Sequence, residues 1–110
     1  MANTFNNKIT TSVGTTQTEV YATDANTKAT VIGINVSNNT TGTIVVDIVI
    51  EDALATQANI VKGVRIPSGT ALAAIGGDQK LVMVENNRLL VQSDTAASSD
   101  VTVSILEITP

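Results

Sequence analysis

In residues 43–52 apolar side chains recur at every second position: Ile44, Val46, Ile48 and Ile50 point one way, and Asp47 and Glu51 mark the other. Successive side chains of an extended strand face opposite sides, so this alternation demands a strand with one buried face. Residues 30–36 set Ile32, Ile34 and Val36 against Val31, Gly33 and Asn35. Residues 59–66 set Ile60, Lys62, Val64 and Ile66 against Val61, Gly63 and Arg65. Helical periodicity is nearly absent. Further strands are expected over residues 8–13, 18–22, 81–85, 88–93 and 101–108, and residues 71–75 fit a strand or a helical turn.

Turn formers separate these runs. Gly14-Thr15-Thr16 divides the first two strands, and Pro67-Ser68-Gly69 ends the strand before it, since Pro fixes φ and Gly accepts positive φ. Gly76-Gly77-Asp78 reads as a bend needing positive φ, Asn86-Asn87 as a tight turn, and residues 53–58 as a loop. The polar clusters at residues 37–42 and 94–100 are each flanked by apolar strands and read as two hairpin loops of similar layout. The expected fold is all-β: a small antiparallel β-sandwich or jelly roll of seven to eight strands, formed by residues 8–110 as a single domain. Residues 1–7 carry no core pattern and read as a flexible N-terminal arm. The last strand, residues 101–108, carries only Glu107 as a charge and reads as an exposed edge open to pairing with another chain.

Composition narrows the chemistry. There is no His, Cys or Trp, and the only aromatic residues are Phe5 and Tyr21. Catalysis by imidazole or thiol is thereby removed, and no disulfide framework can staple a chain of 110 residues. The expectation is a protein without enzymatic activity, metal or cofactor. Asp47 and Glu51 lie four residues apart on one strand face, about 13 Å, too far for a glycosidase pair. Asp94, Asp100 and Asp78 sit in loops without the dense ligand spacing of a calcium loop, and read as backbone caps. The glycosylation-like triplets starting at Asn35, Asn38 and Asn39 are treated as chance in a chain this rich in Asn and Thr.

The net charge is −4, and the six basic residues are scattered singly, which argues against direct nucleic-acid binding. No segment offers the roughly 20 apolar residues of a membrane span, and residues 1–8 lack the apolar core of a signal peptide. A carbohydrate-binding sandwich would have to stack sugars on Phe5 or Tyr21 and is kept as a minor alternative. Charged residues are only 15% of the chain, against roughly 25% for soluble domains, which fits a surface partly covered by partners.

The opening Met-Ala-Asn-Thr-Phe, the strand Thr-Val-Ile-Gly-Ile-Asn-Val at 30–36 and the stretch from Lys62-Gly63 to Ile66-Pro67 carry a family resemblance. So do Gly76-Gly77-Asp78-Gln79-Lys80-Leu81 and the ending Ser104-Ile105-Leu106-Glu107-Ile108. The chain resembles small virion structural proteins of tailed, cyanophage-like bacteriophages over nearly its whole length. It departs from them at Glu85-Asn86-Asn87-Arg88, where a Gly-Asp pair is expected; Asn also tolerates the left-handed conformation. The resemblance implies a capsid decoration (cement) protein bound to the major capsid protein, or else a tail, neck or fibre-associated subunit. Its site would be the virion, reached from the host bacterial cytoplasm without secretion. Ala2, Asn3, Thr4, Phe5, Asn6 and Asn7 are the expected contacts to other virion subunits, in a homo-oligomer such as a trimer or another cyclic ring.

Overall fold

The computed structural model describes residues 2–75 and 80–109. Nine strands follow in order: β1 (Ala2–Val13), β2 (Thr18–Ala22), β3 (Lys28–Asn38), β4 (Ile44–Glu51), β5 (Gln57–Ile66), β6 (Ala71–Ile75), β7 (Leu81–Met83), β8 (Arg88–Ser93) and β9 (Ser99–Thr109). They form two antiparallel sheets. One has the order β1-β9-β3-β6, with β7 also on β3; the other has the order β2-β8-β4-β5. This order, first strand beside last and second beside next-to-last, is a jelly roll. The ninth strand arises because one position in the sheet is shared. β6 pairs with Ile34–Ser37 of β3 and β7 with its Ala29–Val31 end.

The alternation at 44–50 places Ile44, Val46 and Ile48 inside, where they meet Val31, Val36, Val101 and Val103 from the opposite sheet. Aliphatic residues fill nearly all of this core; Tyr21 at its margin is the one aromatic ring. β3 departs from strict alternation. A register shift between Val31 and Gly33 makes Ile32 an extra residue opposite β9. Ala29 and Val31 therefore face the core before the bulge, and Ile34 and Val36 after it. Ile32 is left half-buried on the outer side instead of sharing the face of Ile34.

Both expected hairpins are corrected. β3 and β4 lie in different sheets, as do β8 and β9, so residues 39–43 and 94–98 cross from sheet to sheet. A polar loop of five or six residues spans the roughly 10 Å between sheets as readily as the roughly 4.8 Å between neighbouring strands. The hairpin the sequence left unmarked is β4–β5, which pairs Glu51 with Gln57 around the loop at 52–56. The edge assignment is corrected too. β9 is central, flanked by β1 and β3, and its apolar character reflects that position.

The arm assignment is likewise corrected. Residues 2–7 are the first half of β1, paired in register from Ala2↔Thr109 to Asn7↔Ser104. Their polar pattern reflects exposure on both faces beyond the covered part of the core, not absence of a strand. The bend at Gly76-Gly77-Asp78 lies outside the described residues.

Turn chemistry follows expectation at Gly69 (φ 72) and Asn86 (φ 60). Asn38 organises the β3–β4 crossing. Its amide donates to the carbonyls of Gly42 and Ile66, both at 2.8 Å, and its oxygen accepts from the Thr40 amide at 2.8 Å and hydroxyl at 2.7 Å. Asn38→Ala should cost about 2–4 kcal/mol in urea unfolding, because the buried Ile66 carbonyl loses its donor and the loop loses its bonds to Thr40 and Gly42. Asn38→Asp should cost more, since a carboxylate would face two carbonyl oxygens. Equal stability of all three proteins would contradict this account.

Candidate interaction surface

The outer faces of the two sheets differ in chemistry. On the four-stranded sheet, Arg88 reaches Glu51 at 2.9 Å and Glu19 at 3.1 Å, and Gln57 donates to Glu51 at 2.9 Å and bonds Gln17. This network runs over β2, β8, β4 and β5. Such exposed pairs add little stability, about 0–1 kcal/mol each, but they leave a polar, self-satisfied face.

The five-stranded sheet presents the opposite. Pairing places Phe5 opposite Leu106, Leu106 opposite Thr30, and Thr30 opposite Val82, all pointing outward. Ile9 lies outward opposite Thr102. Phe5 is 77% exposed, Val82 65% and Ile9 64%, with Val84 following β7 at 49%. Half-buried Ile32 and Leu106 join them, and an open groove of about 410 Å³ runs beside Phe5, Ile32 and Ser104. Contiguous apolar side chains on a sheet face mark an interaction surface more strongly than scattered ones do.

The sheet edges differ as well. β5 carries Lys62 and Arg65 and is interrupted at Gly63 (φ 66), whose amide is held by Asp47 at 2.7 Å. β2 has five residues and a register shift, and β6 and β7 are short. Charge, bulges and brevity all discourage edge pairing. β1 is the least defended over residues 2–10: it is twelve residues long, its one charge is Lys8, its bulge comes only between Thr10 and Val13, and the Asn6 side-chain oxygen accepts from the Asn7 amide at 2.9 Å. Its bulge residue Ser12 (φ 56) donates its amide to Asp100 at 3.0 Å. No strand pairs with the outer edge of β1 among the described residues.

All six expected contact residues, Ala2 to Asn7, therefore lie on this edge, and Phe5 also belongs to the apolar face. The sequence reading missed Ile9, Ile32, Val82 and Leu106. All four were read only as strand residues, and it takes the pairing to place them on the outer face that Phe5 shares, Leu106 directly opposite it and Ile32 on the same groove.

The carboxylates singled out in sequence are engaged in structure. Asp94 accepts from the Val45 amide at 3.0 Å and Asp100 from Ser12, so both cap backbone as expected. The first bond, with one from the Thr95 hydroxyl, holds the Asp94 carboxyl below the usual range; Asn26 and Thr27 do the same for Asp24. Asp47 holds Gly63 and lies 3.9 Å from Lys62, whereas Glu51 serves Arg88 and Gln57. Tyr21 is 6% exposed and cannot offer a face to a sugar. Its hydroxyl donates to Glu107 at 2.8 Å, and Asn6 donates to the other oxygen of that carboxylate at 3.2 Å. Glu107 thus ties β1 to the opposite sheet.

No protein-family model matches the chain, and no curated protein sequence matches it. Solved structures match in fold. One belongs to the work "Bacillus endospore appendages form a novel family of disulfide-linked pili", with a TM-score of 0.56 and 15% identity, covering 98% of this chain and 87% of the other. Chains of infectious bursal disease virus, strains Gt and Gx, match with TM-scores of 0.46 and 0.44 at 7% and 8% identity; this chain spans 31% and 36% of their lengths. The likeness to the pilus chain independently supports the sandwich architecture.

Burial, then the bond to Glu107, pushes the Tyr21 hydroxyl well above its ordinary value of 10.0. The folded state therefore keeps a proton that the unfolded state releases, so stability should be level below about pH 10 and fall above it. Tyr21→Phe should lower stability by about 1–2 kcal/mol at neutral pH and flatten the fall above pH 10 in thermal unfolding. An unchanged alkaline slope in the variant would contradict the assignment.

Proposed function

We propose that this chain is a non-catalytic structural subunit of a phage particle, binding neighbours through the outer face of its five-stranded sheet and the edge of β1. The observation that carries the reading is the contrast between faces: one sheet satisfies its own surface charges, whereas the other exposes Phe5, Ile9, Val82 and Val84 and ends in the outer edge of β1, which no described strand pairs. Such a surface lowers its free energy when covered. Low charge and the sequence resemblance favour the same reading.

Within the particle, a head-decoration (cement) role is the first choice. The jelly roll supplies a rigid plate, its apolar face lies on major capsid subunits, and weak contacts repeated over a symmetric shell sum through avidity. The site of action would be the virion, after synthesis in the bacterial host. A tail, neck or fibre-associated role is the second reading. The fold it shares with a pilus chain favours it, since pili repeat one subunit along a filament. Those pili are disulfide-linked, and this sequence contains no cysteine, so its own contacts would be non-covalent.

The double variant Phe5→Asp, Val82→Asp should fold with the melting temperature of the parent, because both side chains are already exposed. Its binding to purified major-capsid shells, read by co-sedimentation, should fall at least about tenfold, since two carboxylates would be buried against apolar surface. Binding at parental strength would overturn the proposal that this face is covered. Parental protein that ignores shells but labels tails in electron micrographs would select the second reading.

A further inference from the structure

We infer that β1 pairs with β1 of a second copy, antiparallel about a twofold axis at Asn7, joining two five-stranded sheets into one continuous sheet. The inference rests on the assembly reading above and names one partner and one register within it. An antiparallel edge contact is self-complementary by symmetry, so a strand can serve as its own partner. The strand must also be long, regular and lightly protected, and β1 comes nearest among the described edges: Lys8 is its one charge, and the bond from the Asn7 amide to the Asn6 side chain at 2.9 Å is exchanged for one across the twofold axis.

The sequence of β1 selects the register. Paired residues share a face, so the twofold axis must pass through a residue position, and the choice of residue decides every pair. Centred on Asn7, Phe5 lies opposite Ile9 of the second copy and Ile9 opposite its Phe5, both on the outer face. Two exposed apolar side chains are then covered twice, and the apolar faces of both copies become continuous. Inside, Thr4 meets Thr10 and Lys8 meets Asn6. Shifting the axis to Asn6 sets Phe5 against Asn7 and Ile9 against Asn3. Shifting it to Lys8 sets two lysines directly opposite each other, which is repulsive. Moving it to Phe5 or Ile9 pairs one of these with itself and shortens the contact toward one end of the strand.

Charge supports the same register. Lys8 has no acidic partner among the described residues. Centred on Asn7, it lies beside Asn6 of the second copy, the residue whose amide is already bonded to Glu107 at 3.2 Å. The Lys8 ammonium is thereby carried toward the carboxylate of Glu107, twice per dimer. Glu107 lies on the same inner face as Asn6 and Lys8, so the approach does not require a side chain to cross the sheet. This twofold contact runs along the edge of β1, shares Phe5 and Ile9 with the outer face, and leaves the rest of that face open to other subunits, so the two together would allow an extended array.

Single-cysteine variants of the full chain test the register, because the parent has no thiol. In Asn7→Cys the two thiols lie directly opposite, within the roughly 4.4–6.8 Å Cα separation that a disulfide needs. In Asn3→Cys they lie eight residues apart along the strand, about 27 Å. Under a mild oxidant, Asn7→Cys should give covalent dimer at least about tenfold faster than Asn3→Cys on a non-reducing gel. In light scattering, Asn7→Lys should raise the dimer dissociation constant several-fold through like charges placed opposite each other. Equal cross-linking rates in protein that is dimeric by light scattering would overturn the register and leave the assembly reading standing. A monomer at every concentration, still bound to shells, would overturn the pairing alone. A monomer that binds neither shells nor tails would overturn both.

Discussion

Strand β9 is the constraint on which the rest of the structure depends. It lies between β1 and β3 and pairs with each along nearly its whole length, from Asn38↔Ser99 to Ala2↔Thr109. Its inner residues Val101, Val103 and Ile105 are fully buried, and Glu107 in the same row ties Asn6 to Tyr21 across the sandwich. Without β9 the first strand has no partner, β3 loses one edge, and the apolar outer face built around Phe5 and Leu106 does not exist. The joining of the first strand to the last also carries a kinetic consequence: these are the most non-local contacts the chain can make, and such contacts form slowly.

The strands themselves were legible in the sequence because alternation is local. Ile44 to Ile50 announces its buried face without reference to any other strand, and β2 was placed at its observed bounds. Gly69 and Asn86 were legible for the same reason, since positive φ has a local cost that few residues escape. What failed was everything that depends on pairing. A polar loop such as 37–42 says that the chain turns, but not whether it turns within a sheet or across to the other. The bulge at Ile32 was hidden because one extra residue leaves composition unchanged while reversing the face of all that follows. Residues 2–7 looked like an arm because an exposed strand lacks the pattern by which strands are recognised.

The interaction surface shows the same division. Ala2 to Asn7 could be singled out as a segment with no core pattern, and the structure makes that segment a lightly protected edge. Val82 and Leu106 could not be joined to it, for they come from two other strands that share its outer face only in the folded sheet. The physical logic of the surface is asymmetry. The Arg88–Glu51–Gln57 network leaves one face content in water, and the other is deficient in charge and rich in aliphatic side chains. A small core of Val, Ile and Leu without disulfides gains stability when such a face and edge are covered.

Hydrogen–deuterium exchange on assembled and dispersed protein tests the central claim most directly. Amides of β1 that point to its free edge exchange quickly in the dispersed chain, and a covered edge protects them. The account predicts strong slowing across residues 3–11 on assembly, together with reduced exchange on β7, and no change along β5. Equal exchange of β1 in both states, or protection confined to β5, would contradict it.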